Sequence, residues 1–94
     1  MHFVWDPKKA AENFKKHKVS FDEAKLVFLD PFAISEQDKN YPERRVVIGA
    51  SGENRVLFVV HVDFSDEEHD VYRIVSARKA SKTQIRRYVN GDDD

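Results

Sequence analysis

Apolar residues at helical spacing predict a helix near the start of the chain. Pro7, Ala10, Ala11 and Phe14 recur at intervals of three and four residues, which places them on one side of a helix. Asp6 stands directly before Pro7, in the order typical of an N-cap followed by the first helical residue. The pattern therefore predicts an amphipathic helix that begins at Pro7.

A second helix is predicted directly after the first. Ser20 and Glu23 have the spacing of a capping box, in which each side chain binds the other residue's backbone N–H. The helix is expected to end at Asp30, because the proline that follows disfavours helical backbone in the residue before it. Its predicted buried side consists of Phe21, Ala24, Val27 and Phe28.

Strands are predicted for most of the remaining chain. Three segments rich in β-branched side chains and two shorter apolar ones are the candidates: 45–50, 56–62, 71–78, 3–5 and 32–36. A turn at 51–54 and an acidic loop at 63–70 would connect the three longer strands. We expect them to form an antiparallel meander in which His61 lies opposite Tyr72, with Arg73 one step along the neighbouring strand.

A short helix is predicted at the end of the chain. Ser81 and Gln84 form another capping box, and Ile85, Tyr88 and Val89 would supply the apolar side. The predicted fold class is α+β, with two N-terminal helices packed on an antiparallel sheet of about four strands and a short C-terminal helix. We expect a single domain over residues 1–94, with a flexible acidic tail at 92–94.

Composition narrows the classes of protein to consider. The 94 residues are 40% hydrophobic and 35% charged, which is typical of one globular domain. The absence of cysteine excludes disulfide scaffolds, thiolate nucleophiles and cysteine zinc sites. The longest apolar run, residues 56–60, is far too short for a membrane span, and no signal peptide is recognisable. We therefore expect a cytoplasmic protein without a membrane partner.

Charge is distributed unevenly although the net charge is only −1. Residues 71–91 contain no Asp or Glu and lie between the acidic segments 63–70 and 92–94. Such a basic segment can form a local anion site in a nearly neutral protein. Its cations are Arg73, Arg78, Lys79, Lys82, Arg86 and Arg87.

The remaining patterns exclude several kinds of site. The four histidines have no metal-ligand spacing, and the three scattered glycines build neither a phosphate-binding loop nor a dinucleotide fingerprint. We expect no metal and no cofactor. His61 is unusual because it stands in an otherwise apolar strand. It is either a hydrogen-bonded histidine at a strand end or a general acid or base.

The basic segment has two interpretations as well. Arg73, Arg78 and the cations after them form either a solvated surface or a phosphate site, since guanidinium groups match phosphate oxygens. Tyr88 is either a core residue or part of a cleft. Cations together with a proton donor and acceptor suffice for metal-free RNA cleavage. The same residues would equally serve a plain RNA-binding surface or a surface for an acidic partner. On the hypothesis of cleavage, His61, Arg73 and Arg78 would be catalytic and Lys79, Lys82, Arg86 and Tyr88 would bind RNA.

Several motifs resemble the BrnT family of toxins. They are residues 3–9 with Asn13, 16–24, 28–31, Arg44-Arg45 leading to Ile48-Gly49, and 73–80 with Tyr88. The resemblance implies a RelE-like α+β fold and places Arg73, Arg78 and Tyr88 in an RNA cleft. Lys18 departs from it, because the family usually has glycine there. A lysine must adopt a left-handed conformation or end the helix differently.

The resemblance also implies a biological system. It predicts an endoribonuclease toxin of a type II toxin–antitoxin pair that arrests translation by cleaving RNA. The implied partner is a cognate antitoxin with a ribbon-helix-helix DNA-binding domain, through which alone the toxin reaches operator DNA. Two alternatives remain open at the level of the sequence. The chain could be a non-catalytic binding module, or a degenerate toxin that binds an antitoxin through its basic C-terminal segment.

Overall fold

A computed structural model describes residues 1–52 and 55–91. The predicted tail 92–94 and the second half of the turn 51–54 therefore lie outside the described residues. In chain order the elements are β1 (His2–Val4), α1 (Pro7–His17), α2 (Phe21–Ala24), a 3-10 helix (Lys25–Leu29), β2 (Ile34–Gln37), β3 (Arg44–Ala50), β4 (Val56–Asp63), β5 (Val71–Lys79) and α3 (Lys82–Val89). None of the helices in these ranges has the length and apolar character needed to cross a bilayer.

The elements form one five-stranded sheet with the order β1-β5-β4-β3-β2. Strands β2 to β5 are an antiparallel meander, and β1 pairs in parallel with β5. The predicted α+β class is confirmed, whereas the predicted four strands are wrong because β1 adds a fifth. The second N-terminal helix is also wrong in detail, since it is a single α-helical turn that continues as a 3-10 helix.

The starts of the helices follow the capping signals closely. The Asp6 side chain accepts a hydrogen bond from the backbone N–H of Lys8 at 2.9 Å, as expected of an N-cap. Ser81 and Gln84 form both bonds of the predicted capping box. Ser20 forms only half of its box, because the Glu23 side chain binds Ser51 and Arg55 instead.

The main core lies between α1, α2 and the 3-10 helix on one side and the sheet on the other. We call this side of the sheet the helix face. Its buried members are Val19, Phe21, Ala24, Val27, Val47, Leu57, Val59, Ile74 and Ala77. Gly49 permits the close packing, because a Cβ there would lie 3.2 Å from the Cβ of Val27. Helix α3 contacts β3 on the opposite face, where Val46 and Ile48 are buried.

The inward side of α1 differs from the prediction. Phe14 is 51% exposed, whereas Asn13 is buried. The Asn13 amide accepts a hydrogen bond from the N–H of Ala77 and donates to the carbonyl oxygens of Ala77 and Val19. Strand β1 pairs with only three residues of β5, and the Asn13 side chain provides hydrogen bonds for backbone groups further along that edge. An asparagine therefore takes the place of the apolar contact that the spacing predicts.

Lys18 ends α1 in the left-handed conformation, with φ of 59°. Because a side chain makes this conformation unfavourable, we expect Lys18→Gly to raise the free energy of unfolding by about 1 kcal/mol. Urea denaturation of both proteins measures the difference. Lys15→Gly is the matched control, and it should be destabilising by about 1 kcal/mol because Lys15 is inside the helix. A loss of stability in Lys18→Gly would contradict the interpretation.

Candidate functional site: an arginine face and the His61 pocket

A β-bulge decides which side chains share a face of the sheet. Val60 pairs with Ser76 and His61 pairs with Ile74, so the register skips Val75. In a regular strand Arg73 and Arg78 would point to opposite faces, because they are five residues apart. The extra residue reverses the alternation between them. Arg73 and Arg78 are thereby placed on the same face.

Three arginines occupy this face, which is opposite the helix face and which we call the arginine face. Arg73 and Arg44 both pair with Val62, and so lie two strands apart, about 10 Å. Arg78 pairs with Phe58 further along, and its guanidinium carbon lies 4.4 Å from the centre of the Phe58 ring. The face therefore presents positive charge at both ends of β5.

Glu36 pairs with Val46 and so shares the arginine face, where its carboxylate is bound by Arg87 of α3. Among the described residues, none of the guanidinium groups of Arg44, Arg73 and Arg78 forms an ion pair with a carboxylate. Arg44 instead stacks on Tyr41, with 4.3 Å between the guanidinium carbon and the ring centre. Tyr41 is 50% exposed, and Phe64 is 57% exposed directly after β4. Arg73 is exposed, whereas Arg44 and Arg78 are half-buried. Cations beside aromatic rings are the combination that binds single-stranded nucleic acid.

His61 lies on the helix face, on the opposite side of the sheet from Arg73 and Arg78. It pairs with Ile74, in register with the pairs Val62–Arg73 and Asp63–Tyr72, so the predicted pairing with Tyr72 is wrong by two residues. Its ring makes edge contacts with Phe28 and Tyr72 at centroid distances of 4.9 and 5.3 Å. It borders a cavity of about 220 Å³, the His61 pocket, lined by Val27, Phe28, Ala33, Ser35, Arg45, Val47, His61, Asp63 and Tyr72.

The His61 imidazole is buried and incompletely bonded. It is 3% exposed, and its Nδ1 has no hydrogen-bond partner among the described residues. Burial lowers the pKa of His61 to about 4; Asp63 opposes this shift and Arg45 adds to it. The imidazole is therefore neutral at pH 7. The predicted hydrogen bond at the end of the strand does not form.

This burial makes the stability of the protein depend on pH. The ordinary pKa of 6.5 applies in the unfolded chain, so below that pH the unfolded chain binds a proton that the folded one excludes. We expect His61 to cost about 2 kcal/mol of unfolding free energy between pH 7 and pH 4.5. Urea denaturation at both pH values should show a smaller loss for His61→Phe. Equal losses in both proteins would contradict the prediction.

The other predicted residues are dispersed. Lys79 ends β5 on the helix face, opposite Leu57, and Lys82 and Arg86 are exposed on α3. The Tyr88 hydroxyl donates a 2.5 Å hydrogen bond to Asp30, which raises the pKa of Tyr88 to about 12. This hydrogen bond links α3 to Asp30, which caps the end of the 3-10 helix. Within residues 1–52 and 55–91, no cluster of three or more His, Asp or Glu side chains could hold a metal ion.

Comparison with known proteins identifies the family. The family model described as the ribonuclease toxin BrnT of type II toxin–antitoxin systems matches residues 5–84. The chain belongs to the BrnT family. The crystal structure of the Brucella abortus ribonuclease toxin BrnT is similar in fold, with a TM-score of 0.69 and 23% sequence identity over 87% of this chain and 99% of that chain. No curated protein matches the sequence.

The BrnT match covers both faces of the site. Residues 5–84 include the three arginines of the arginine face and His61, and end before Arg86 and Tyr88. Arg44 was not among the predicted site residues, although it stands among the family motifs. The signal that could have found it is its position at the start of a strand, two residues before the apolar Val46 on the same face.

Proposed function

We propose that this BrnT family member is an endoribonuclease toxin that binds RNA on its arginine face and cleaves it without a metal ion. The observation that carries the proposal is the set of three guanidinium groups on one face of the sheet, free of carboxylate ion pairs among the described residues. The description of the family as ribonuclease toxins supports the same chemistry. The family description favours an enzyme, whereas the burial of His61 on the opposite face from Arg73 favours the alternative of a non-catalytic binding module.

The proposed reaction uses the 2′-hydroxyl of the RNA as the nucleophile. Its oxygen attacks the adjacent phosphorus while its proton passes to solvent water. The bond from phosphorus to the 5′-oxygen breaks and that oxygen takes a proton from water, so the products carry a 2′,3′-cyclic phosphate and a 5′-hydroxyl. Negative charge accumulates on the phosphoryl oxygens in the transition state. Arg73 and Arg78 are the proposed catalytic residues, because fixed guanidinium groups stabilise such charge without a metal. Arg44 and Tyr41 bind the neighbouring nucleotides.

The proposal changes the roles that the sequence alone predicts. His61 is not assigned proton transfer on the arginine face, because its side chain is on the other side of the sheet. Lys82 and Arg86 extend the positive surface on α3 and contact phosphates outside the cleavage site. Lys79 and Tyr88 are given no RNA contact, because Lys79 is on the helix face and the Tyr88 hydroxyl is bonded to Asp30.

Product analysis tests the function. The purified chain is incubated with end-labelled single-stranded RNA in buffer containing EDTA. We expect fragments with 2′,3′-cyclic phosphate and 5′-hydroxyl ends. The same RNA with 2′-deoxy substitutions is the matched control and should remain intact. Intact RNA in the first reaction, or cleavage of the deoxy substrate, would contradict the proposal.

We further propose that the toxin acts in the cytoplasm, arrests translation and is neutralised by a cognate antitoxin. The type II family description supports an antitoxin partner. The proposed antitoxin has a ribbon-helix-helix domain and provides all contact with operator DNA. Electrophoretic mobility shifts test this point. We expect the toxin alone to leave the mobility of operator DNA unchanged. The toxin–antitoxin complex should retard the DNA more than the antitoxin alone does.

A further inference from the structure

We propose that the His61 pocket is a nucleobase subsite that selects guanine in the RNA. The inference rests on the proposed function and adds a specificity that the arginine face cannot supply, because phosphate contacts carry no sequence information. Its physical basis is His61, which lines the cavity and whose buried Nδ1 has no partner among the described residues. A buried polar atom without a partner is costly, and a bound polar ligand removes the cost.

The shape and the walls of the pocket fit one flat ring. Phe28, Tyr72 and His61 surround one side, with Phe28 and Tyr72 stacked at 5.5 Å. The volume of about 220 Å³ lies below the 300–1,000 Å³ of pockets for drug-sized molecules. Aromatic side chains that contact a base which has left the RNA stack are a common mode of RNA recognition. A single base is therefore the best-fitting occupant.

The polar residues of the pocket favour guanine. Arg45 and Asp63 both line it, and among the described residues no ion pair joins them. An arginine binds the O6 and N7 acceptors of guanine. A carboxylate accepts hydrogen bonds from the adjacent N1–H and N2–H₂ donors of the same base. Adenine, cytosine and uracil do not present both this pair of acceptors and this pair of donors.

RNA on the arginine face can reach the pocket around one end of the sheet. Consecutive residues of a strand point to opposite faces and are about 3.3 Å apart. Arg44 is on the arginine face and Arg45 borders the pocket, while Val62 and Asp63 are divided in the same way. A phosphate held between Arg44 and Arg73 therefore lies on one side of this end of the sheet, and the mouth of the pocket lies on the other side.

Nucleotide binding and cleavage mapping test the subsite. Calorimetric titration of the full chain with the 5′-monophosphates of guanosine, adenosine, cytidine and uridine should show the guanosine compound binding about tenfold more tightly or better, as a bidentate contact gives. Asp63→Asn and Arg45→Gln should each remove most of this preference. Glu12→Gln, on the exposed side of α1, removes the same charge as Asp63→Asn and is the control for that variant; it should keep the preference.

Cleavage mapping on an RNA of mixed sequence separates the two proposals. We expect cuts beside guanosine in the wild type and a loss of that preference in Asp63→Asn. Cleavage without a base preference, or equal affinities for the four monophosphates, would overturn the guanine subsite and leave the ribonuclease proposal intact. Selective guanosine monophosphate binding without cleavage would support the subsite and overturn the ribonuclease. Circular dichroism of each variant confirms that it is folded.

Discussion

Asn13→Ala is expected to lower the free energy of unfolding by about 4 kcal/mol. The substitution leaves the N–H and the carbonyl oxygen of Ala77 and the carbonyl oxygen of Val19 without their three side-chain hydrogen bonds. Each buried hydrogen bond contributes about 0.5–1.5 kcal/mol, and a buried group left unsatisfied costs about 1–3 kcal/mol. The edge of β5 would lose its cover at the same time. The small size of the protein makes this loss a large part of its stability.

Equilibrium urea denaturation measures the effect. The dependence of the unfolding free energy on urea concentration should be the same in both proteins, because a different slope would indicate a change in the surface exposed on unfolding. Glu12→Ala, one position earlier on the exposed side of α1, is the control and should change stability by less than about 0.5 kcal/mol. Asn13→Asp separates hydrogen bonding from packing. It keeps the size of the side chain but loses both donated bonds, so it should also destabilise. A stable Asn13→Ala protein would show that the edge of β5 is satisfied in another way.

The sequence predicts the features of the fold that depend on local chemistry. Asp6 and Ser81 cap their helices as their spacing indicates. Lys18 takes the left-handed conformation that the family resemblance indicates for that position. These outcomes follow because a cap is decided by residues within one helical turn. The three long strands are likewise predicted by their own β-branched composition.

The features that the sequence does not predict depend on distant partners. The parallel pairing of β1 with β5 places His2 beside Val71, and no turn pattern in the sequence predicts it. Asn13 is buried because β1 pairs only three residues of β5, which cannot be read from α1 itself. Glu23 leaves its capping box for Arg55, a residue 32 positions away.

The distribution of the candidate site residues over the two faces of the sheet depends on a bulge that the sequence does not reveal. A strand without a bulge would place Arg73 and Ala77 on the same face, as the alternation along residues 71–78 suggests. The bulge at Val75 instead places Ala77 in the core and aligns Arg73 with Arg78. His61 lies on the opposite face from Arg73 in the predicted register as well as in the observed one, so the bulge separates it only from Arg78. One extra residue therefore moves Arg78 away from His61 and onto the face of Arg73.

Arg73→Ala is expected to reduce the single-turnover rate of RNA cleavage by about 100- to 1,000-fold, the usual cost of removing one donor that stabilises transition-state charge. Arg73 is exposed and its side chain is not part of the core, so the variant should retain the stability of the wild type. Arg78→Ala should show a similar loss of rate. It also removes the contact with Phe58, so its unfolding must be measured in parallel.

The catalytic role of the arginine face is best tested by the rate constant for RNA cleavage by Arg73→Ala. Lys15→Ala, on the exposed side of α1, is the control. We expect a loss of at least about 100-fold in Arg73→Ala and a nearly unchanged rate in Lys15→Ala, with both proteins folded. Wild-type rates in a folded Arg73→Ala protein would contradict the assignment of the arginine face.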